Sequence, residues 1–305
     1  MTSLGLPKTH WCIVVADDHG PERAPTANVD ESPAPAQYSR LGERSTLLQR
    51  ALNRAARVAP AARVMITALE EYRQYWEPAL WCVRPQNRFV CDNRAASLLT
   101  GAAALLSITA ESPSNVVTIL PARCYVARED VLRLAINDAL SMLPRVNEGV
   151  ATLGMVDMYE GIDEDYLVSA RGNAGPGLAV EGFAHRPTAW VARRLRNQGA
   201  MVASGIMVGY AGVFAAHISK HWPGLTLKLT QLVAGACAAG EECEVPMGLQ
   251  AGVPKHVLRS LRWNPPSFPQ RAFCVRGCGW SSLKSAQAVE RVSTWISASS
   301  VLDVV

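Results

Sequence analysis

Residues 11–25, WCIVVADDHGPERAP, constrain this chain more than any other stretch. The apolar, mostly β-favouring run from Trp11 to Ala16 stops abruptly at Asp17, Asp18, His19 and Gly20. A short unbroken apolar run that ends in a charged, turn-prone loop reads as a buried central strand delivering that loop to a sheet edge. In open α/β sheets ligands bind at this edge, outside the carboxyl ends of the strands. The side chains of the loop are therefore the first candidates for function.

Apolar strand-like runs then alternate with helical patterns. Strands are expected at 63–67, 80–84, 115–120, 150–156, 166–169, 178–183, 200–210 and 272–276, with a Gly-rich turn at 171–177. Thr46 followed three residues later by Gln49 has the form of a capping box opening a helix to about residue 58. Further helices are expected at 69–77, from Asn93 or Arg94 onward, and at 129–143, 188–197, 211–221, 225–238 and 283–296. This alternation predicts an α/β fold, a three-layer Rossmann-like arrangement with a mostly parallel central sheet. One domain over residues 8–298 is expected. It would carry a Pro- and Ala-rich loop at 24–37 and a mainly helical or irregular insertion at 225–270 before the last strand and helix.

Lys and Arg total 30 against 26 acidic residues, a formal charge of +4. That balance is too mild to imply nucleic acid, and no basic tract interleaves with aromatics. The apolar tracts near 97–110 and 203–218 are too short for a membrane span, so no membrane partner is expected. The eight cysteines show no CxxC pair or framework spacing, which suits buried thiols of a reducing, cytoplasmic compartment.

Laid out this way, the chain resembles the sugar-1-phosphate nucleotidyltransferases, most closely the bacterial mannose-1-phosphate guanylyltransferases. The resemblance runs in one register from Trp11 to Val292, and the order and spacing of many partial motifs carry it. The family's AGGxGxRLxP phosphate loop is matched by residues 16–25, Ala16-Asp17-Asp18-His19-Gly20-Pro21-Glu22-Arg23-Ala24-Pro25. KQF is matched by Ala36-Gln37-Tyr38 and the TLL helix start by Thr46-Leu47-Leu48. PENRGTAPAI is matched from Pro85 to Asp92, and P-[AS]-D-H by Pro121-Ala122-Arg123-Cys124. FxEKP is matched by Phe183-Ala184-His185-Arg186-Pro187, NSG by Ala203-Ser204-Gly205, and GWSDLG by residues 279–284.

The resemblance implies attack of a sugar phosphate on the α-phosphate of a nucleoside triphosphate, with release of pyrophosphate. Such chemistry rests on positioning and charge neutralisation by backbone N–H groups, cationic side chains and Mg²⁺. Mg²⁺ needs oxygen ligands, which the family supplies as two aspartates. Arg123 and Ser282 stand at those positions here, so no metal is expected and no catalytic set is intact. Two loop glycines are replaced by Asp17 and Asp18, and the loop arginine by Glu22. Each carboxylate within about 4 Å of a phosphate charge costs roughly 1–4 kcal/mol. The KQF lysine position is Ala36, and the EKP lysine position is Arg186.

The family frame places the remaining ligand-binding candidates at Asp17, Asp18, His19, Gly20, Arg23, Arg84, Arg88, Arg123, Arg186 and Ser204. Arg84, Arg88, Arg123 and Arg186 either bind a phosphate, a nucleotide sugar or an acidic partner without metal, or some of them face solvent or pair with Asp92 and Glu181. Asp17, Asp18 and Glu22 form either a solvated loop or interface face, or a new acidic metal site. His217 and His221 are four apart on a helix, either a two-histidine metal face or two surface histidines. Cys274 and Cys278 flank Arg276 and read as structural thiols. The expected function is a catalytically inactive nucleotidyltransferase-like protein in polysaccharide-precursor synthesis. It would bind a guanine nucleotide, a sugar phosphate, an active paralogue or a second copy of itself. The alternatives are a low-activity, Mg²⁺-dependent guanylyltransferase making GDP-mannose, and an interaction protein with an unoccupied cleft.

Overall fold

The computed structural model of the protein describes residues 10–17, 35–41, 45–92, 97–145, 149–156, 164–169, 177–250, 269–283 and 285–302. Its strands are β1 (His10–Val15), β2 (Val64–Leu69), β3 (Arg88–Cys91), β4 (Val116–Pro121), β5 (Tyr125–Val126) and β6 (Val150–Met155). They continue as β7 (Tyr166–Ser169), β8 (Leu178–Ala184), β9 (Met201–Tyr210), β10 (Cys243–Val245), β11 (Gln270–Val275) and β12 (Trp280–Ser281). The helices are α1 (Leu47–Ala56), α2 (Arg73–Trp76), α3 (Ser97–Glu111), α4 (Glu129–Met142), α5 (Ala189–Asn197), α6 (Ala211–His221), α7 (Pro223–Ala239) and α8 (Ala286–Leu302).

Ten strands form one sheet in the order β10-β3-β2-β1-β4-β9-β6-β11-β8-β7. The first five of that order run parallel to one another, as does the pair β6–β11. The expectation of a mostly parallel sheet needs correcting beyond β4. There β9 runs antiparallel to both β4 and β6, and β8 antiparallel to β11 and β7. β7 also pairs with β9, so β9, β6, β11, β8 and β7 close on themselves around Leu167, Met201, Ala203 and Ala272.

β1 is buried on both faces, and its alternate residues enter different cores. Cys12 and Val14 pack with Leu48, Leu52 and Ala55 of α1 and Leu132 and Ile136 of α4. Trp11 and Ile13 pack with Leu99 and Leu105 of α3, Phe214 and Ile218 of α6, and Leu229 of α7. Helices thus cover both faces of the sheet, which makes three layers. α3 comes close because Ala102, Ala103 and Ala104 are fully buried small residues.

α1 starts at the expected capping box. Thr46 Oγ accepts from Gln49 N–H, and Gln49 Oε1 accepts from Thr46 N–H. Residues 80–84 were expected to be a strand but form a turn. Leu80 and Val83 are buried three apart while Trp81 between them is exposed, a spacing that suits a turn and not a pleat. The strand of this region is β3, after Pro85. β10 lies inside the stretch expected to be irregular. All eight cysteines are free, and Cys237 and Cys274 are exposed rather than buried. Among the described residues no helix is long and apolar enough to cross a membrane. The start of the α3 region at 93–96, the Gly-rich turn at 170–176, loop residues 18–34 and insertion residues 251–268 lie outside the described residues.

Candidate functional site

The site is built at the carboxyl edge of β1 and β4. As β1 ends, Ala16 N–H donates to Thr67 O at 2.9 Å, and Ala122 N–H donates to Val15 O at 2.8 Å. Ala16 and Asp17 are thereby set between β2 and the chain that leaves β4. Gln37 Nε2 and Tyr38 Oη both donate to Ala16 O, at 2.9 and 3.2 Å. The segment matched to KQF therefore buttresses the first loop. Burial, then the Asp17 charge, pushes the Tyr38 phenol well above its ordinary pKa.

Asp17 is turned into the protein. It is 1% exposed; the Thr67 hydroxyl donates to one carboxylate oxygen at 2.9 Å, and the Thr100 hydroxyl donates to the other. A carboxylate without water must be satisfied by protein donors, and these hydroxyls bolt the loop start to β2 and α3. Asp18, His19, Gly20, Glu22 and Arg23 lie outside the described residues.

Arg123, 4% exposed, sits in the turn between β4 and β5. α1 holds that turn from below. Arg54 grips Glu129 with two hydrogen bonds of 2.8 and 2.7 Å and donates to Cys124 Sγ at 3.5 Å. Arg50 donates to Val126 O at 2.6 Å and lies over the Tyr125 ring. Burial raises the pKa of the Cys124 thiol, despite the opposing Arg54 charge.

The late segment joins through a small second sheet, in which β12 pairs antiparallel with β5 and sets Ser281 opposite Tyr125. Ser282 directly follows β12, and Cys124 directly precedes β5. Gly279 (φ +62°) permits this approach, since a Cβ there would come within 2.7 Å of the Ala127 Cβ. Ser282 is buried, and its hydroxyl donates to the buried carboxylate of Glu164.

Ser204 is also buried. Its hydroxyl donates to Leu153 O at 2.6 Å and accepts from Ile206 N–H at 3.0 Å, spanning the register shift between β6 and β9. It therefore shapes the strand pair. Gly205 (φ +76°) next to it lets β9 pass over Pro121, whose Cγ lies 2.9 Å from where a Cβ would be. Arg186 is exposed on the rim, with its backbone N–H 3.2 Å from Asp165 Oδ1; His185 Nδ1 lies 2.7 Å from the same oxygen. Asp165 O in turn accepts from Ala203 N–H at 2.8 Å.

The expected group of four arginines is split. Arg84 is exposed in the turn before β3, and Arg88 donates twice to Val83 O, at 3.2 and 3.0 Å. Arg84 precedes β3 and Arg88 opens it, two strands from β1, whereas Arg123 follows β4. Glu164 was not singled out in the sequence, where it is one carboxylate of the run Asp163-Glu164-Asp165 with nothing to mark which one turns inward. Thr67 and Thr100, the donors to Asp17, were missed because each sits in an apolar run where it reads as filler.

Solved structures of similar fold include a mannose-1-phosphate geranyltransferase from Thermus thermophilus (TM-score 0.67, 21% identity, 93% of this chain and 79% of that one). A mannose-6-phosphate isomerase from Helicobacter pylori aligns at TM-score 0.63 and 14% identity, over 90% of this chain and 99% of its own. An inositol-1-phosphate CTP transferase from T. maritima aligns at 0.53 and 13%, over 95% of each chain. The fold is that of the sugar-phosphate nucleotidyltransferases. No protein-family model and no curated protein matches the chain.

The nucleotidyltransferase fold brings a divalent ion into question, and neither Arg123 nor Ser282 fits as its ligand. A guanidinium at position 123 cannot coordinate a cation, and the Ser282 hydroxyl already donates to Glu164. Among the described residues, no group of three or more His, Cys, Asp or Glu side chains could hold a metal.

Proposed function

We propose that this protein keeps the nucleotidyltransferase fold but has given up nucleotidyl transfer, and acts by binding a guanine nucleotide or sugar phosphate in a regulatory role. The observation that carries this reading is the pair Arg123 and Ser282. A buried cation and a hydroxyl engaged by Glu164 stand where the resemblance implies two metal-binding carboxylates. Without those carboxylates these two positions offer no ligand to the ion that offsets a triphosphate and its leaving pyrophosphate.

A binding role does not need that ion. Cationic side chains near the carboxyl edge, Arg123 in the turn and Arg186 on the rim, are suited to one or two phosphate groups. The partner for such regulation would be an active relative of the same fold, or a second copy of this chain.

A native-state ligand must raise the melting temperature, by the equivalent of about 2.7 kcal/mol at a hundred times its dissociation constant. GDP, GTP, GDP-mannose and mannose-1-phosphate are the compounds to screen, each with Mg²⁺ and with EDTA. At least one is expected to raise the melting temperature equally in both buffers. No shift with any of them at millimolar concentration, or a shift that requires Mg²⁺, would contradict the reading.

A further inference from the structure

One pair of metal-preferring side chains lies outside the carboxyl-edge site. His217 and His221 are one turn apart at the end of α6, and their imidazole centroids are 4.5 Å apart. Residues four apart share a helix face, so both rings project from one side. Zinc–nitrogen bonds are about 2.0–2.1 Å long. Rings this close can each offer a nitrogen to one ion after small side-chain rotations.

We propose that His217 and His221 chelate a single nitrogen-preferring divalent metal ion, of the zinc, nickel or copper class, at the last turn of α6.

The surroundings bear on this. The ion would sit at a helix carboxyl end, where unpaired carbonyls favour positive charge; Lys220 in the same turn opposes it. Among the described residues no cluster of three or more ligating side chains exists. Water would complete the shell, giving an open two-ligand chelate and not a closed structural site. Magnesium, a hard ion that prefers oxygen, is not expected to bind.

The test uses the full-length protein, kept reduced and stripped with a chelator. Nickel chloride and zinc chloride are titrated against a chromophoric competitor for the wild type, His221→Ala, His217→Gln and the double variant. His221 is exposed, so His221→Ala remains informative if the half-buried position 217 proves sensitive. One ion per chain is expected, with affinity about tenfold weaker or worse in each single variant. Nickel and zinc, but not magnesium, should raise the wild-type melting temperature, and should do so less in the variants. Affinity and stoichiometry that survive both single substitutions would assign the ion to other groups and overturn the proposal. Absence of binding to the wild type, or an equal thermal shift with magnesium, would overturn it too.

Discussion

His10 opens β1 fully buried, with Nε2 hydrogen-bonded to Thr118 Oγ1 at 2.8 Å. Burial holds its pKa down at about 4, against 6.5 for an ordinary histidine. A lowered histidine pKa means that the unfolded chain binds the extra proton between those values. Stability therefore rises with pH from 4 to 6.5 and is lost as pH falls through that window. The gap corresponds to roughly 3 kcal/mol at most. Denaturant unfolding at pH 7 and pH 5 is expected to show the loss, and His10→Gln should flatten that part of the profile. An unchanged slope would show that His10 is not its source. At the same scale, Thr100→Val removes one of the two hydroxyls that satisfy the buried Asp17. The expected cost is about 1–3 kcal/mol in denaturant unfolding; a neutral change would mean that Asp17 does not anchor the loop. The aspartate itself was visible in the sequence as a charge ending an apolar run. That it points inward was not, because its partners Thr67 and Thr100 are far away along the chain and chemically unremarked.

Among the elements, α1 does more than cover the sheet. Its Arg54, with a side chain 2% exposed, pairs with Glu129 at the start of α4 and supports the turn that carries Arg123. Glu129→Ala strands a buried guanidinium, which typically costs about 3–5 kcal/mol. Thermal or denaturant unfolding should show a loss of that size. Arg54→Met, which removes the buried charge instead of exposing its lack of a partner, should cost less; the reverse order would contradict this account of the pair. Most elements were legible because long apolar runs and the capping box at Thr46 are local signals. β3 was misplaced onto residues 80–84 because an apolar run looks the same in a turn that buries every third residue. β10 has only three residues, and its burial comes from β3 and α7, which local periodicity does not record.

For the whole molecule, the layer arrangement follows from alternation of strands and helices, but strand direction does not. A run of buried residues pairs equally well with a parallel or an antiparallel neighbour, so the reversal at β9 and the closure of β7 onto β9 emerge only in three dimensions. That closure carries Asp165, Ser204 and Gly205 to the edge where β4 hands over to Arg123. The proposed loss of transfer rests on Arg123 and Ser282 standing at the positions where the resemblance implies ion ligands. The direct measurement is pyrophosphate release from GTP and mannose-1-phosphate in the presence of Mg²⁺. The account predicts no release above a heat-inactivated control, and sustained turnover by the purified protein would contradict it.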